Sequence, residues 1–303
     1  MDLRGSKILL VGACGMLAGH LIPQLKRRQA DLVYADIRRI DGFSEECLPL
    51  DMTNLEQVHR LVAQVKPQVI INCAAYTAVD DAEDKIELAL RVNAIGPKNL
   101  AQAARDCGAT LVHISSDYVY GGLGHIDRPR TPYLEDEEVS PCGIYGHSKW
   151  LGDEFIKAIL PAQHLILRTS WLHGLYGPNF VATIVRVARE KHELRVVNDQ
   201  IGSPTWAEWL AVTICELLGK KCLGIFHASS HGDISWYDFA KEIVRQSGLA
   251  TKVLPQITAE AKRKAPRPPY STMNVSKLEN ALGHACPSWQ DGLAAHLESI
   301  KAL

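Results

Sequence analysis

Lys7-Ile-Leu-Leu-Val11 runs straight into Gly12-Ala-Cys-Gly15-Met-Leu-Ala18: an apolar strand, a glycine turn and the first turn of a helix. The helix period of apolar residues continues to about Leu25. Strand, glycine turn and helix N-terminus together gather backbone N–H groups against a diphosphate. The spacing Gly-x-x-Gly-x-x-Ala would mean little alone. Its place after a strand and before a helix is the context that a dinucleotide fold requires.

The alternation continues outward from there. Residues 32–35 read as a second strand ending in Asp36, an acid about 20 positions past the glycines and suited to ribose hydroxyls. Arg38 and Arg39 follow and suit a 2′-phosphate instead, so NADH and NADPH both remain open. A short extended piece leads to Asp51-Met52. Leu55–Val65 is helical, Val69–Asn72 a strand, 83–92 and 94–107 helical, 110–115 a strand and 164–168 another. Strand–helix alternation predicts an α/β fold, a doubly wound parallel sheet of Rossmann type. Ligands then gather at the C-terminal strand ends: Gly12, Asp36, residues 72–77 and Ser115-Ser116-Asp117. Small residues at Ala74 and Ala75 let a cofactor lie close to the backbone.

The 303 residues suit one large or two modest domains. A net charge near −1 offers no general attraction to nucleic acid or anionic membrane. No apolar run approaches the ~18 residues of a membrane span. The eight cysteines show no Cys-x-x-Cys and no metal-ligand spacing, so no metal is expected. They read as reduced packing residues of a cytoplasmic protein.

Chemistry enters at Tyr145-Gly-His-Ser-Lys149, which sets a phenol and an ammonium on one helix face. A cation beside a phenol favours the phenolate and makes it a usable acid or base at neutral pH. With nine tyrosines in the chain the spacing can arise by chance, and Tyr237/Lys241 repeats it. Only Tyr145 has a strand-end hydroxyl upstream, at Ser116. The later pair reads as structural.

The second half carries helices at Phe180–Glu190, 207–218 and Trp236–Gln246, with strands at 194–197 and 225–227. The expected division is a dinucleotide domain over 1–168, rejoined by some later segments, and a smaller substrate-binding α/β lobe over most of 169–303. Trp171, at a strand end, suits a sugar ring or a core equally. The acidic run 135–138 reads as a solvated loop, and Asp80, Asp81, Glu83 and Asp84 as stabilising a helix N-terminus. His113 and His227 read as core histidines. Lys262-Arg-Lys-Ala-Pro-Arg267-Pro-Pro is extended, stiff and basic, and Arg267 could grip a diphosphate.

Assembled, these motifs resemble the extended short-chain dehydrogenase/reductases, and within them the dTDP-4-dehydrorhamnose reductase family. The resemblance runs nearly end to end: Gly12-x-x-Gly15-Met-Leu, Asn72-Cys-Ala-Ala-Tyr-Thr-Ala-Val-Asp80, Ser115-Ser-Asp-Tyr-Val-Tyr120, Tyr145-Gly-His-Ser-Lys149, Arg168-Thr-Ser-Trp171, Asp199-Gln-Ile-Gly-Ser-Pro-Thr205 and Arg267-Pro. It implies NADPH or NADH as cofactor and a nucleotide-sugar substrate, and leaves a homodimer open. By position it assigns the cofactor to Gly15, Met16, Leu17, Asp36, Asp51, Met52, Ala75, Tyr76, Thr77, Tyr145 and Lys149, to which the residue reading adds Gly12, Arg38 and Ala74. It assigns catalysis to Ser116, Tyr145 and Lys149, and substrate contact to Ser116, Asp117, Trp171 and Arg267. Ser116 stands where the family usually has Thr, and Tyr120 where it usually has Phe, a small polar change. His20 replaces the Glu with which some members bind magnesium at a dimer interface, so neither that metal nor that dimer carries over. The expected reaction is reduction of a 4-keto sugar, with Lys149 lowering the pKa of Tyr145. Rival readings are another nucleotide-sugar reductase or epimerase, and a non-catalytic NADP-binding regulatory subunit like methionine adenosyltransferase β.

Overall fold

Successive side chains of β1 (Lys7–Val11) face opposite sides of a sheet, and both sides are apolar. Ile8 and Leu10 join one buried cluster, Leu9 and Val11 another. A strand apolar on both faces must be covered on both, which is the condition for a parallel sheet between two helical layers. The computed structural model describes residues 3–38, 46–125 and 127–301. Arg39 lies outside them. Beside β1 it shows β2 (Asp31–Asp36), β3 (Cys47–Pro49), β4 (Val69–Asn72), β5 (Thr110–Ser116), β6 (His164–Thr169) and a closing strand, Gly224–His227. From one edge the order is the closing strand, β6, β5, β4, β1, β2, β3, and every pairing is parallel. The order reverses between β1 and β4, so the crevice for a ligand opens above Gly12 and Asn72.

Helices Met16–Arg27 and Ala207–Gly219 cover one face, with Leu17, Leu21, Leu25, Leu210 and Ile214 turned inward. Leu55–Val65 and Gly96–Cys107 cover the other. The second half thus sends two helices, Ala207–Gly219 and Ser276–Leu282, and one strand back to the large sheet. The remainder builds a parallel pair, Glu193–Val197 with Lys252–Gln256. Helices Phe180–Glu190, Trp236–Gln246 and Trp289–Lys301 pack against it around Phe239, Leu293 and Trp289.

The sequence placed most elements within a residue or two, but 83–107 differs. Short helices Val79–Ala82 and Ile86–Leu90 lead into a π-turn, Arg91–Ile95, before Gly96–Cys107. The π-turn turns Asn93 inward, where its amide bonds both backbone groups of Tyr76 and the Ser148 hydroxyl. The loop at 135–138 is less solvated than its composition suggests. Glu135 accepts from the N–H of His227 on the sheet-edge strand at 3.0 Å, and Glu137 pairs with Arg128 at 2.6 Å.

His173 and His296 are buried where the two halves meet, their Nδ1 atoms 2.9 Å apart. Burial, with the neighbouring histidines, pushes His173 down to about 3 and His296 down to about 4. An unfolded imidazole titrates near ~6.5. Stability from this pair is therefore full above that value and is lost as pH falls below it, by on the order of 2 kcal/mol per ring between pH ~6.5 and ~5. In the double variant His173→Leu/His296→Leu, the urea midpoint should fall less between pH ~7 and ~5 than in the parent. Equal losses in both proteins would refute this.

Candidate active site

Gly12 ends β1 at φ +78, a conformation that costs side-chain-bearing residues energy. A Cβ there would also stand 2.5 Å from the Ala74 nitrogen, so the two strand-end loops touch backbone to backbone. Gly15 caps helix Met16–Arg27 without any side-chain hydrogen bond. The first N–H groups of that helix are left for another acceptor, and with the positive end of the helix dipole they form an anion cradle. Asp36 lies at the next strand end, buried. Its carboxylate accepts from the Cys14 N–H at 3.0 Å and the Arg38 N–H at 2.9 Å, with Arg38 Nε 3.5 Å away. An acid fixed beside a bare helix N-terminus fits a dinucleotide: diphosphate on the turn, ribose hydroxyls on the carboxylate. Met52 points into the core, with its carbonyl held by Asn99, while Asp51 caps the turn at Thr53. Beyond β4 the side chain of Asn72 holds Ala74. Tyr76 reaches Asp81 at 2.9 Å and Thr77 is exposed.

Helix Gly143–Ile159 lies across the end of β5 and carries Tyr145, Lys149 and Asp153 on one face. Ser116, the last residue of β5, is buried, and its hydroxyl, facing Tyr145, favours the phenolate. The same hydroxyl lies 3.1 Å from Asp117 Oδ1 and caps the following turn at Tyr118. Tyr118 packs edge-on against the Tyr145 ring at 5.3 Å. Asp117 is buried and receives Ser271 at 2.6 Å. Burial, only partly opposed by these hydroxyls, raises it to about 6. Lys149 is buried, donating to the Ile114 carbonyl at 2.7 Å, with His113 Nε2 at 3.2 Å. Burial drives it down to about 8 against the pull of Asp153.

One expectation is corrected here. Instead of being lowered, Tyr145 is pushed up to about 12, by burial first and then by Asp117 and Asp153, against the effect of the Ser116 hydroxyl. The lysine spends its hydrogen bonds on β5 instead of the phenol. In this chain Tyr145 is a proton holder at neutral pH.

Two of the remaining candidates already have partners. The Trp171 ring stacks on Trp236 at 3.4 Å, so one face is already spent, and its backbone adopts φ +47. Arg267 is engaged too: it pairs with Asp80 at 3.0 Å, beside Arg263 on the same carboxylate at 3.4 Å and Lys264 on Asp84. The acids after β4 therefore tie down the basic segment, which the helix-terminus reading did not foresee. Glu83 likewise accepts from the Ile144 N–H at the start of the Tyr145 helix. Tyr237/Lys241 is a surface cation–π contact at 5.0 Å. His20, buried, bonds Glu208 at 2.8 Å and accepts from Leu175 N–H. Asn93, Asp153 and Ser271 carry no role in the sequence reading. A buried Asp one turn beyond Lys149 on the same face was the one readable signal.

The strand order, the glycine cradle and the helix across β5 define an extended short-chain dehydrogenase/reductase. Residues 6–302 match the family model described as RmlD substrate binding domain. The dTDP-4-dehydrorhamnose reductase of Streptomyces griseus is 38% identical, over 97% of this chain and 93% of that one. Among solved structures, a dTDP-4-dehydrorhamnose reductase from Clostridium acetobutylicum superposes with a TM-score of 0.89 at 40% identity, over 97% of this chain and 99% of the other. The enzyme of that name from Bacillus anthracis, solved in complex with NADP, gives 0.88 at 38%, over 98% and 100%. The chain belongs to the dTDP-4-dehydrorhamnose reductase family.

Asp36 offers a carboxylate where a 2′-phosphate would bring like charge. Asp36→Ser should therefore raise the NADPH-to-NADH ratio of dissociation-limited affinity in favour of NADPH by about tenfold, a ~1.4 kcal/mol effect. Fluorescence titration of each nucleotide reads it, and an unchanged ratio would rule out that role.

Proposed function

We propose that this chain is an NAD(P)H-dependent oxidoreductase that reduces the 4-keto group of a nucleotide-linked deoxysugar, converting dTDP-4-dehydro-L-rhamnose to dTDP-L-rhamnose. One observation carries the reading. A phenol faces a strand-end hydroxyl, one helical turn from a buried lysine, in a chain of this reductase family.

The reduced nicotinamide, when bound, supplies the hydride. The protein supplies the proton and the setting. Tyr145, which burial keeps protonated, gives its proton to the carbonyl oxygen as negative charge grows there. Ser116 steadies that oxygen with a second hydrogen bond. Lys149, anchored on Ile114, meets the nicotinamide-side ribose. Gly15, Met16 and Leu17 hold the diphosphate of the cofactor, and Asp36 its adenosine ribose. Asp117 and Trp171 take the sugar. Arg267, released from or shared with Asp80, takes the substrate diphosphate, which two parallel N–H groups fit.

Tyr145→Phe should lower kcat by about 10²–10⁴ while the cofactor still binds. Ser116→Ala should cost about 10²–10³, and Ser116→Thr, which keeps the hydroxyl, little. Oxidation of NADPH by dTDP-4-dehydrorhamnose, followed by absorbance, reads all three. Normal turnover by Tyr145→Phe would sink the assignment. Arg267→Ala should raise KM for the nucleotide sugar about tenfold or more and leave the cofactor's KM nearly unchanged. An equal rise in both would remove Arg267 from the substrate site.

A further inference from the structure

Lys149 has a neighbour on β5 that the proposed reaction does not use. His113 is wholly buried, between Asn72 on β4 and Lys149 on the covering helix. The hydrogen-bond directions along this row can be worked out from one end. The Ala74 N–H can only donate, and it donates to Asn72 Oδ1 at 3.0 Å. That fixes which end of the Asn72 amide is which. Its NH₂ group, also only a donor, then faces His113 Nδ1 at 3.1 Å. Nδ1 must be the bare nitrogen, so a neutral His113 carries its proton on Nε2. That N–H points at Lys149 Nζ, 3.2 Å away. An ammonium would set donor against donor there. A neutral amine would accept from His113 and still donate to Ile114 O at 2.7 Å, leaving every member of the row satisfied.

We propose that His113 is a positioning residue for Lys149: by presenting an N–H instead of a lone pair, it turns the lysine's own N–H groups away from the imidazole and weakens the lysine's hold on its extra proton. This rests on the reading of Lys149 as the residue that meets the cofactor ribose. The row begins at Ala74, the residue in contact with Gly12, so the anion cradle and the lysine are joined by one directed chain of hydrogen bonds.

The other groups facing this point leave the argument intact. Asp153, one turn on along the same helix, has Oδ1 buried without a hydrogen-bond partner, 3.9 Å from His113 Nε2. A carboxylate there favours the same Nε2–H tautomer. Its pull on Lys149 is shared with Arg168 of β6, 3.5 Å from Oδ2, and with the Ser115 hydroxyl at 2.8 Å. Tyr145, one turn back, is neutral. The low proton affinity of Lys149 noted above agrees with this arrangement.

The test uses the cofactor-free full chain, so it does not depend on turnover. Long-range ¹⁵N–¹H spectra of His113 should show the Nε2–H tautomer. The ¹³Cε shift of Lys149, assigned with Lys149→Arg, gives its titration. In His113→Gln an amide oxygen can accept from both Asn72 and Lys149, and the lysine should bind its proton about tenfold or more tighter. The alkaline limb of kcat/KM should move up by the same factor. An Nδ1–H tautomer, or a Lys149 titration that does not move in His113→Gln, overturns the inference. Should the titration move while the alkaline limb stays, the pairing stands and the role given to Lys149 in the reaction falls.

Discussion

The site depends on how closely helix Gly143–Ile159 approaches the end of β5 and the π-turn beside it. Two glycines permit the approach. A Cβ at Gly146 would run into the Tyr118 carbonyl, and one at Gly152 into the carbonyl of Asn93. With no side chain to hold the elements apart, Tyr145 meets Ser116, Lys149 reaches Ile114, and Asp153 reaches Ser115. Each contact is one helical turn from the next, so a single seating distance sets all three. The π-turn serves the same end. By inserting a residue it brings Asn93 to Ser148 on the inner side of the helix, which fixes its rotation as well as its height.

So close a seating carries charges into the interior. Lys149, Asp153 and Arg168 are all buried, and a buried charge without a partner is strongly destabilising. The compensation extends beyond the active site. Arg168 donates to Tyr120 at 2.6 Å, and the same hydroxyl lies 2.9 Å from His227 Nε2, whose Nδ1 faces the Asn274 carbonyl at 3.2 Å. Tyr120 therefore joins the charged helix to the edge strand Gly224–His227. Burial and Arg168 hold His227 down to about 3. A Phe at 120 would remove one acceptor from a buried guanidinium. Reading Tyr120 as a small polar change underestimated it, because its partner stands 48 positions away.

What was legible in the sequence follows from the range of each interaction. The glycine turn, the strand ends and the Tyr145–Lys149 spacing are local patterns, and the parallel sheet follows from them by rules of connection. Charge state was not legible. A phenol four residues from an ammonium invites the conclusion that one activates the other. The directions in which both side chains leave the helix, and the strand that captures the lysine, depend on contacts 35 and 36 positions distant. The same limit hid the partners of the basic segment: Arg263 and Asp80 are 183 positions apart. Trp171 could be read either way because its stacking partner, Trp236, belongs to a distant helix, Trp236–Gln246. The sequence also passed over residues 252–256, 276–282 and 289–301, where short or weakly patterned segments derive their structure from the parallel strand and the helices they pack on.

The pairing of Asp80 with Arg267 has a meaning beyond stability. Asp80 also accepts from the Ala265 N–H at 3.1 Å, so one carboxylate fixes both the backbone and the guanidinium of the proline-rich segment. Asp80, in the short helix Val79–Ala82, follows by three residues the Ala75–Thr77 stretch expected to line the cofactor. The cation proposed for the substrate is thus held next to the stretch proposed to line the cofactor. Arg267 is only 14% exposed, and a guanidinium that far out of water needs an anion beside it. Asp80 fills that need in the free protein. An entering diphosphate would meet a cation already desolvated and aimed, which lowers the cost of ordering it on binding. The opposing cost is the carboxylate itself, whose charge repels the diphosphate unless Arg263 remains to balance it. Two arginines on one aspartate leave a net positive charge, and that surplus allows the segment to be locked in place and still favour an anion.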